Sequence, residues 1–509
     1  MPATHDDGAL VVAVDLSTTA AKAVLVDAVG HVHAEGSAAL ETASPHPAWH
    51  EQDATQWWSA ARSAIAGAVA QVDPAKVRAL CVTHQRETFV CLDAEDRPLR
   101  PAILWVDGRA SAEIAELGTG RVHQVSGKPP DTTPAIYKLA WLSRHEPTAL
   151  SRAARVGDVQ AYLARRLTGR WATSVASADT LGLLDLSAGS WSPALLELAG
   201  VRVDQLPELV PTGDEIGRLT ARAAEELGLA SGLPVVAGLG DGQSAGLALR
   251  TDQPGVAYLN LGTSMVLGVR ADAYAADPAF RTLAGMVPGT FTLETVLNAA
   301  SYLAAWCRRE LGDPGLDADA QLAFFEQAAA RVPPGSEGLI TLPYWNAAQT
   351  PYWDPDARGA VVGWHGRHTR AHLYRSLLEG VAFELRRHLE DLERATGRPV
   401  RVIRAVGGGA RSETWMRIVT DVTRRPVEVC SAGEMSAAGA GALAHSWLAG
   451  RPGTADLAPP TGRTVEPDPP VADVYDRWYV AYRGLYPALR ETFSALAGAQ
   501  TPGRVRMEP

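Results

Sequence analysis

The feature that constrains the fold most is a strand-and-turn pattern that occurs once in each half of the chain. The first copy is Val11–Thr19, V-V-A-V-D-L-S-T-T, and the second is Val256–Ser264, V-A-Y-L-N-L-G-T-S. Each opens with an apolar run typical of a buried strand, and a second strand follows its turn, at Lys22–Asp27 and Met265–Val269. The repeat predicts two similar α/β halves, and a chain of 509 residues is long enough for two domains.

Turns of small hydroxyl residues and glycine suit a phosphate chain, because their backbone N–H groups and hydroxyls can point at anionic oxygens. Two such turns that face each other across a cleft can hold a nucleoside triphosphate from both sides. Asp15, at the start of the first turn, repels phosphate and is better placed to hold a water or Mg²⁺ that the phosphates share. An isolated D-x-S-T-T favours an ordinary hairpin with a polar tip, but its repetition favours the phosphate role. The candidate phosphate-binding residues are Ser17, Thr18, Thr19, Gly262 and Thr263.

A third landmark is Val235–Gly246, V-V-A-G-L-G-D-G-Q-S-A-G, which carries a single carboxylate, Asp241. The apolar run predicts a buried strand that ends at the glycines, and a helical segment begins at Ser244. A carboxylate between a strand end and a helix start stands at the mouth of a cleft in an α/β protein. Asp241 can accept a proton from a substrate hydroxyl there or help to hold a metal. The alternative is an aspartate that only caps the following helix.

Arg86 and Glu87 lie between two predicted strands, Val77–Val82 and Phe89–Leu92, in a joint that contains neither glycine nor proline. A guanidinium fork and a carboxylate suit the vicinal hydroxyls of a polyol. The alternative is a salt-bridged pair inside a loop. Trp105, a little further on, can stack on the carbon–hydrogen face of a sugar or simply fill the core.

A glycine-rich turn follows the predicted strand Val402–Val406 and precedes the predicted helix Thr414–Thr423. Glycines at Gly408 and Gly409 let a ligand approach the backbone closely, and the helix N-terminus is aimed at it. The sequence G-G-G-A-R-S is neither a G-x-G-x-x-G nor a Walker motif. Further on, the Ala/Gly-rich helix predicted at Ser436–Ala449 must pack very closely on another element.

Charge and composition exclude several classes of protein. The net charge of −10 and the absence of a basic run argue against a nucleic-acid surface. No apolar run is long enough to cross a bilayer, and the polar, acidic start Met1–Gly8 is not a signal peptide. The four cysteines have no metal-ligand spacing. We therefore expect a cytoplasmic protein that binds neither nucleic acid nor membrane.

Together, the D-x-S-T-T, G-D-G-Q-S-A-G, N-L-G-T-S and G-G-G-A-R-S segments resemble the FGGY family of carbohydrate kinases in order and spacing, from about residue 10 to 449. The resemblance implies an α/β fold of two ribonuclease-H-like, actin/hexokinase-type domains with a cleft between them. It implies an N-terminal domain over 1–250 for the acceptor and the first phosphate turn, and a nucleotide-binding domain over 251–450. Residues 451–509 would form a proline-rich loop and a C-terminal helix. ATP, Mg²⁺ and transfer of the γ-phosphoryl group to a hydroxyl are also implied.

The resemblance assigns a role to each candidate residue. The catalytic base of the family falls on Asp241, and the nucleotide-side glycine turn falls on Gly408 and Gly409. The phosphate turns fall on Asp15–Thr19 and on Gly262 with Thr263. Mg²⁺ is expected near Asp15 and Asp241. The acceptor-binding residues are Arg86, Glu87, Trp105 and Asp241.

The motifs that bear on the subfamily resemble two different members of the family. His84–Thr88 and Trp105 are similar to the substrate residues of glycerol kinase, yet Gly242 stands where that enzyme has glutamine, and Thr133 stands near its substrate tyrosine. The stretch 127–147 looks more like xylulokinase, which usually has Met-His-Gly where this chain has Arg86, Glu87 and Thr88. This combination predicts a polyol-type pocket on a xylulokinase-like frame.

The expected acceptor is a linear C3 to C5 polyol or ketose of glycerol, tetritol, pentitol or xylulose type, and the hydroxyl that is phosphorylated stays open. One alternative is a xylulokinase proper that acts on D-xylulose. Others are a bare ATPase and a non-catalytic, actin-like ATP-binding sensor. A homodimer is compatible with each of these functions.

Overall fold

The computed structural model describes residues 8–345, 347–430, 435–451 and 462–500, with the Gln500 side chain excepted. Two large sheets organise the chain, and their strands are numbered here in chain order. The N-terminal sheet contains β1 (Leu10–Leu16), β2 (Ala20–Val26), β3 (Val32–Ala39), β4 (Val77–His84), β5 (Glu215–Arg218) and β6 (Pro234–Val236). The C-terminal sheet contains β7 (Val256–Leu261), β8 (Met265–Ala271), β9 (Arg281–Ala284), β10 (Phe291–Leu297), β11 (Val402–Val406), β12 (Val427–Cys430) and β13 (Gly462–Val465).

The two sheets share one topology. The N-terminal sheet has the order β5-β6-β4-β1-β2-β3, and the C-terminal sheet has the order β9-β10-β8-β7-β11-β12-β13. In each, the first strand pairs antiparallel with its hairpin partner and parallel with a later strand, β4 for β1 and β11 for β7. The structural repeat predicted from the two hairpins is therefore present at the centre of both sheets. Asp15 belongs to β1 rather than to the turn after it.

Helices cover the sheets and carry the insertions between strands. In the first half they are α1 (Ala54–Val69), α2 (Ser111–Leu117), α3 (Gly120–Ser126), α4 (Ala135–His145), α5 (Pro147–Ser151), α6 (Val159–Thr168), α7 (Val175–Ala178), α8 (Pro193–Ala199), α9 (Ala221–Leu227) and α10 (Asp241–Ala248). In the second half they are α11 (Ser301–Leu311), α12 (Ala318–Ala330), α13 (Arg370–Thr396), α14 (Glu413–Thr423), α15 (Met435–Leu448) and α16 (Pro469–Gln500).

Short strands complete the structure. A small sheet beside the N-terminal sheet joins Glu51–Gln52, Ala102–Ile103, Phe89–Leu92 and Arg155–Asp158 in that order. Two-stranded pairs join Leu184–Asp185 to Ser190–Trp191, Ala172–Ser174 to Glu208–Val210, and Ile340–Leu342 to Ala360–Val362. The predicted proline-rich loop begins after residue 451, and its residues 452–461 lie outside the described residues. Strand β13 follows directly.

Helix α15 connects the halves. It lies in sequence between β12 and β13 of the C-terminal sheet, yet it packs on α10 and on β1 and β4 of the N-terminal sheet. Ala437, Ala440 and Leu443 of α15 share one buried apolar cluster with Val11 and Ala13 of β1. Any side chain at Gly439 would overlap the backbone of α10 at Ser244, so glycine is required for this approach. The close packing predicted from the Ala/Gly-rich composition is confirmed.

Two further expectations concern the chain as a whole. All four cysteines lie in the described residues and are buried free thiols, which fits the absence of metal-ligand spacing among them. No helix in the described ranges combines the length and the apolar content that crossing a bilayer would require.

Candidate active site

The carboxyl ends of three neighbouring strands of the N-terminal sheet bring Asp15 and Asp241 to one edge. Asp15 of β1 is in register with Thr83 of β4, and the next residue of β4, His84, pairs with Gly240 just before α10. Because β4 lies between β1 and β6, the strand that carries Asp15 and the strand that leads to Asp241 are about 10 Å apart. This is the edge at which ligands bind in α/β sheets.

Asp241 is the first residue of α10, so the helix begins three residues earlier than the predicted start at Ser244. The N-cap is Gly240, which has no side chain to cap with, and the alternative role of Asp241 as the N-cap is wrong. Its Oδ1 accepts the Gly242 N–H at 2.7 Å, and its side chain remains 41% exposed. A carboxylate in the first turn is favoured by the helix dipole, and the exposure leaves it open to a ligand.

Arg86 lies against this carboxylate. Its Nε is 3.4 Å from Asp241 Oδ1, and its Nη1 is 3.2 Å from Glu294 Oε1. Burial by itself lowers the pKa of the Arg86 guanidinium, but the carboxylates of Glu294 and Asp241 outweigh burial and hold the pKa above its ordinary value. Arg86 therefore connects the predicted base of the N-terminal half to a buried carboxylate of the C-terminal half.

Glu294 of β10 is the centre of an ion-pair network that the sequence analysis missed. It is fully buried, accepts Arg281 Nε at 2.6 Å and accepts the Tyr258 hydroxyl. Burial alone would raise the pKa of the Glu294 carboxyl, but Arg281 and Arg86 lower it to about 2. The available signal was a single glutamate inside the otherwise apolar and hydroxyl run F-T-L-E-T-V-L.

Glu87 also pairs across the halves. Its carboxylate is 3.3 Å from Arg281 Nη1, and its side chain is only 4% exposed. Its backbone adopts the left-handed region, with φ of 65°, which a non-glycine residue adopts at a cost. Arg86 and Glu87 are thus both ion-paired, but with Glu294, Asp241 and Arg281 rather than with each other.

Strand β9, which carries Arg281, is hydrogen-bonded to residues of the N-terminal half of the chain. The Thr282 N–H donates to Gly127 O at 2.8 Å, and Lys128 Nζ donates to Thr282 O at 2.6 Å. The same ammonium donates to Asp179 Oδ1 at 2.6 Å, and Asp179 Oδ2 accepts the Ala284 N–H at 2.9 Å. These contacts hold Arg281 beside the loop that contains Glu87.

Trp105 is 37% exposed, so it does not fill the core. Its indole Nε1 donates to Thr18 Oγ1 at 3.1 Å, and the Thr18 hydroxyl donates to Gln85 Oε1 at 3.1 Å. Thr88 Oγ1 donates to the same Gln85 oxygen at 3.2 Å and accepts the Trp105 N–H at 3.1 Å. The first predicted phosphate turn is therefore hydrogen-bonded to the predicted acceptor-binding residues.

The rest of the first turn is ordered by Ser17. Its hydroxyl donates to Ala20 O at 2.9 Å and accepts the Ala20 N–H at 3.2 Å and the Thr19 N–H at 3.4 Å. Thr19 itself is exposed. Ser17 thus shapes the turn, while Thr19 presents its side chain to solvent.

The glycine turns of the second half lie side by side, because β7 and β11 are parallel neighbours. Gly262 and Thr263 follow β7, and their carbonyl oxygens accept the first N–H groups of α11. Gly408 has open space where a Cβ would be, so a ligand can reach its backbone. Gly409 is buried against Leu261, and Gly407 alone of these three glycines has a positive φ, 96°. The sequence analysis missed Gly407, which makes the sharp turn possible.

The residues present fit a Mg²⁺ ion that is shared with a nucleotide. Among the described residues there is no cluster of three or more His, Cys, Asp or Glu side chains that could hold a metal alone. Mg²⁺ is usually bound through one or two carboxylates together with phosphate oxygens and water. Asp15 and Asp241 at one sheet edge supply that kind of donor set.

Comparisons with known proteins cover both halves of the chain. The model for the N-terminal domain of the FGGY family of carbohydrate kinases matches residues 10–248, and the model for its C-terminal domain matches residues 257–447. The xylulose kinase of Escherichia coli strain K12 is 31% identical over 443 residues, which cover 85% of this chain and 89% of that protein. The glycerol kinase of Bordetella parapertussis strain 12822 is 32% identical over 459 residues, which cover 85% and 88% respectively.

A solved structure matches over both halves. The crystal structure of xylulose kinase from Rhodospirillum rubrum has a TM-score of 0.89 at 32% identity, and the match covers 95% of this chain and 100% of that chain. The predicted α/β fold of two actin/hexokinase-type domains is confirmed. The boundaries of 1–250 and 251–450, and the roles of the individual site residues, stay predictions.

Proposed function

Because the chain belongs to the FGGY family of carbohydrate kinases and is an ATP-dependent sugar or polyol kinase, we propose that its acceptor is a small linear polyol or ketose. The acceptor-binding residues in this proposal are Arg86, Glu87 and Trp105, and Asp241 is the general base. Xylulose kinases and a glycerol kinase are both among the relatives, which supports a linear acceptor of three to five carbons. D-xylulose is the alternative favoured by the similarity to xylulose kinases over both halves.

The observation that carries the proposal is the distance of 3.4 Å between Arg86 Nε and Asp241 Oδ1. The group that would orient an acceptor hydroxyl and the group that would take its proton stand side by side. In the reaction, the acceptor oxygen forms a bond to the γ-phosphorus of ATP as the bond to ADP breaks, and the hydroxyl proton passes to Asp241. Positioning and charge stabilisation supply most of the rate in such transfers.

We place the triphosphate between the turns Ser17–Thr19 and Gly262–Thr263, with Gly408 and Gly409 on the nucleotide side. Mg²⁺ would be held by Asp15 and Asp241 and would neutralise charge on the β- and γ-phosphates. Trp105 would stack on the carbon–hydrogen face of the acceptor. The hydrogen bond from Trp105 to Thr18 supports this arrangement, because it joins the acceptor side to the phosphate side.

An acceptor screen tests the proposal. Purified enzyme with ATP and Mg²⁺ is given glycerol, erythritol, xylitol and D-xylulose in turn, and ADP is measured. ADP formation in proportion to one of these acceptors supports the proposal. ADP formed at the same rate without acceptor indicates a bare ATPase, and no ADP with any acceptor overturns the assigned acceptor class.

Asp241→Asn tests the base. The variant should still bind ATP, and kcat should fall by about 10²-fold or more, the usual loss for a positioned general base. Asp204→Asn, at a surface aspartate that pairs with Arg202 two residues earlier, is the matched control and should keep full activity. An Asp241→Asn enzyme with wild-type turnover would remove Asp241 from this role.

A further inference from the structure

Lys138, on α4, is fully buried, and its ammonium is surrounded by backbone carbonyls. Nζ donates to Leu104 O at 3.3 Å and to Trp105 O at 3.0 Å. It also donates to Thr132 O at 3.1 Å and to Thr133 O at 2.8 Å. The four oxygens come from two loops that are distant in sequence, so one side chain fastens both.

This arrangement differs from that of an ordinary buried lysine, whose charge is compensated by a carboxylate. Lys128 is the ordinary case in this protein, because it donates directly to Asp179. The three N–H groups of Lys138 are instead shared among four carbonyl oxygens. A methionine or leucine would fill the same space in the core, so packing alone gives no reason for the charge.

One of the two loops that Lys138 holds carries a residue of the proposed acceptor site, and the other contains Asp131, whose carboxyl pKa is raised by burial and is also influenced by the charges of Arg281 and Glu87. The first presents Trp105, whose indole donates to Thr18 Oγ1 at 3.1 Å. The second contains Thr133 and the half-buried Asp131, whose Oδ2 accepts the Thr133 hydroxyl at 3.3 Å and Gln349 Nε2 at 3.3 Å. Gln349 belongs to the C-terminal half, so the second loop also faces the opposite domain.

We propose that Lys138 is a positioning residue, whose ammonium sets the spacing between the Trp105 loop and the 131–133 loop and thereby shapes the acceptor pocket. It would not touch the acceptor itself. The proposal rests on the proposed function, because the pocket is assigned there. Removing the charge should therefore weaken acceptor use and leave ATP use unchanged.

The protonation of Lys138 gives a second way to remove the charge. Burial lowers the pKa of its ammonium to about 8. The carboxylates of Glu87, Asp107 and Asp131 oppose this shift, and Arg109 adds to it. Above about pH 8 the neutral amine has only two N–H groups for the four carbonyls, so acceptor KM should rise there.

Linkage predicts the opposite trend for stability. The pKa of Lys138 is lower in the folded chain, about 8, than its ordinary value of 10.5, so between these values the unfolded chain binds more protons. This group's contribution to the free energy of unfolding therefore grows as the pH rises from 8 to 10.5. As the pH rises from 8 to 10.5, acceptor affinity should therefore fall while stability grows. If Lys138 had only a structural role, there would be no reason for these two quantities to change in opposite directions.

Lys138→Met, which keeps the length of the side chain and removes the charge, is the direct test. We expect acceptor KM to rise on the order of tenfold or more, while the KM for ATP stays within about twofold. Hydrogen exchange measured by mass spectrometry should become faster in segments 104–107 and 131–134. Leu142→Val, in the same helix and in an apolar cluster, is the control and should lower the melting temperature without changing the ratio of the two KM values.

Several outcomes would overturn the proposal. A folded Lys138→Met enzyme with wild-type acceptor KM is one, and exchange that rises evenly over α4 and the N-terminal half is another. If the variant does not fold, the wild-type enzyme decides, because an acceptor KM that is flat from pH 7 to 9.5 contradicts the role. If the wild-type enzyme uses no acceptor, the proposed function has failed. Exchange in the two segments at pH 7 and 9.5, corrected for intrinsic rates, still shows whether Lys138 holds the loops.

Discussion

Replacing Glu294 by glutamine would remove the central charge of the ion-pair network between the halves. Glu294 is fully buried and forms ion pairs with both Arg86 and Arg281. Its Oε1 is 3.2 Å from Arg86 Nη1 and 2.6 Å from Arg281 Nε. Glutamine keeps the shape of the side chain but removes the carboxylate that the two guanidinium groups share, and leaves each with one counter-charge, Asp241 for Arg86 and Glu87 for Arg281. Breaking a buried pair in this way typically costs about 3–5 kcal/mol.

The pKa of Glu294 gives a second measure of the same effect. Its value in the folded protein is about 2, against an ordinary value of 4.5. One pKa unit corresponds to about 1.4 kcal/mol, so the network stabilises the ionised carboxylate by roughly 3 kcal/mol at neutral pH. Because the folded pKa is lowered, this contribution is complete above about pH 4.5 and is lost as the pH falls through 2. Roughly 2 kcal/mol should disappear between pH 5 and pH 3.

Urea unfolding of wild type and Glu294→Gln at pH 7, 5 and 3 is the measurement. The difference in unfolding free energy should be largest at pH 7 and should shrink toward pH 3, because Glu294 binds a proton in the unfolded wild type there, whereas glutamine does not titrate. Glu208→Gln is the matched control, since Glu208 pairs with Arg170 on the surface at 62% exposure and should contribute less than about 1 kcal/mol. A Glu294→Gln difference below 1 kcal/mol at pH 7, or one that is constant from pH 5 to pH 3, would refute the reasoning.

The remaining predictions concern glycines and the first turn. Gly262→Val should weaken ATP binding measured by calorimetry, because its side chain would occupy space needed by a phosphate oxygen, and Thr18→Ala should be milder. The double variant should be non-additive if both turns hold one ligand; strict additivity, or normal ATP binding by Gly262→Val, would contradict this. Gly439→Ala should lower stability in thermal unfolding by roughly 1–3 kcal/mol, because its Cβ overlaps the Ser244 carbonyl. Gly67→Ala in α1, where a Cβ meets nothing, is its control, and equal stabilities of the two variants would show that α15 can shift.

The local parts of the fold could be predicted from the sequence. β11 begins and ends at the predicted residues, Val402 and Val406, because a short β-branched run there is bounded by polar residues and glycine. The hairpins followed from the same kind of pattern, since hydrophobic periodicity is a local property. The start of α10 was placed three residues too late, because glycines at 240 and 242 looked like a break rather than the first turn.

The charged network of the site was predictable only in its N-terminal part. Arg86 and Glu87 were found from an unusual charged joint, but their partners Glu294 and Arg281 lie 208 and 194 positions further along the chain. No local pattern fixes which of many charges will meet across two sheets. Lys138 left a weak signal, a lysine on a helix whose neighbours are all apolar, yet nothing in the sequence says that its ammonium meets carbonyl groups.

Helix α15 has a consequence for any attempt to recombine this enzyme with a relative. Residues 435–448 come late in the chain, yet they cover an apolar face of the first sheet, and Leu443 shares a buried apolar cluster with Val11 and Ala13. A chimera that joins one parent's first half to another parent's second half would therefore seat a foreign helix on β1. Crossover points should keep α15 with the first sheet of the same parent, so that a viable exchange has three junctions, one at the midpoint and one on each side of the helix.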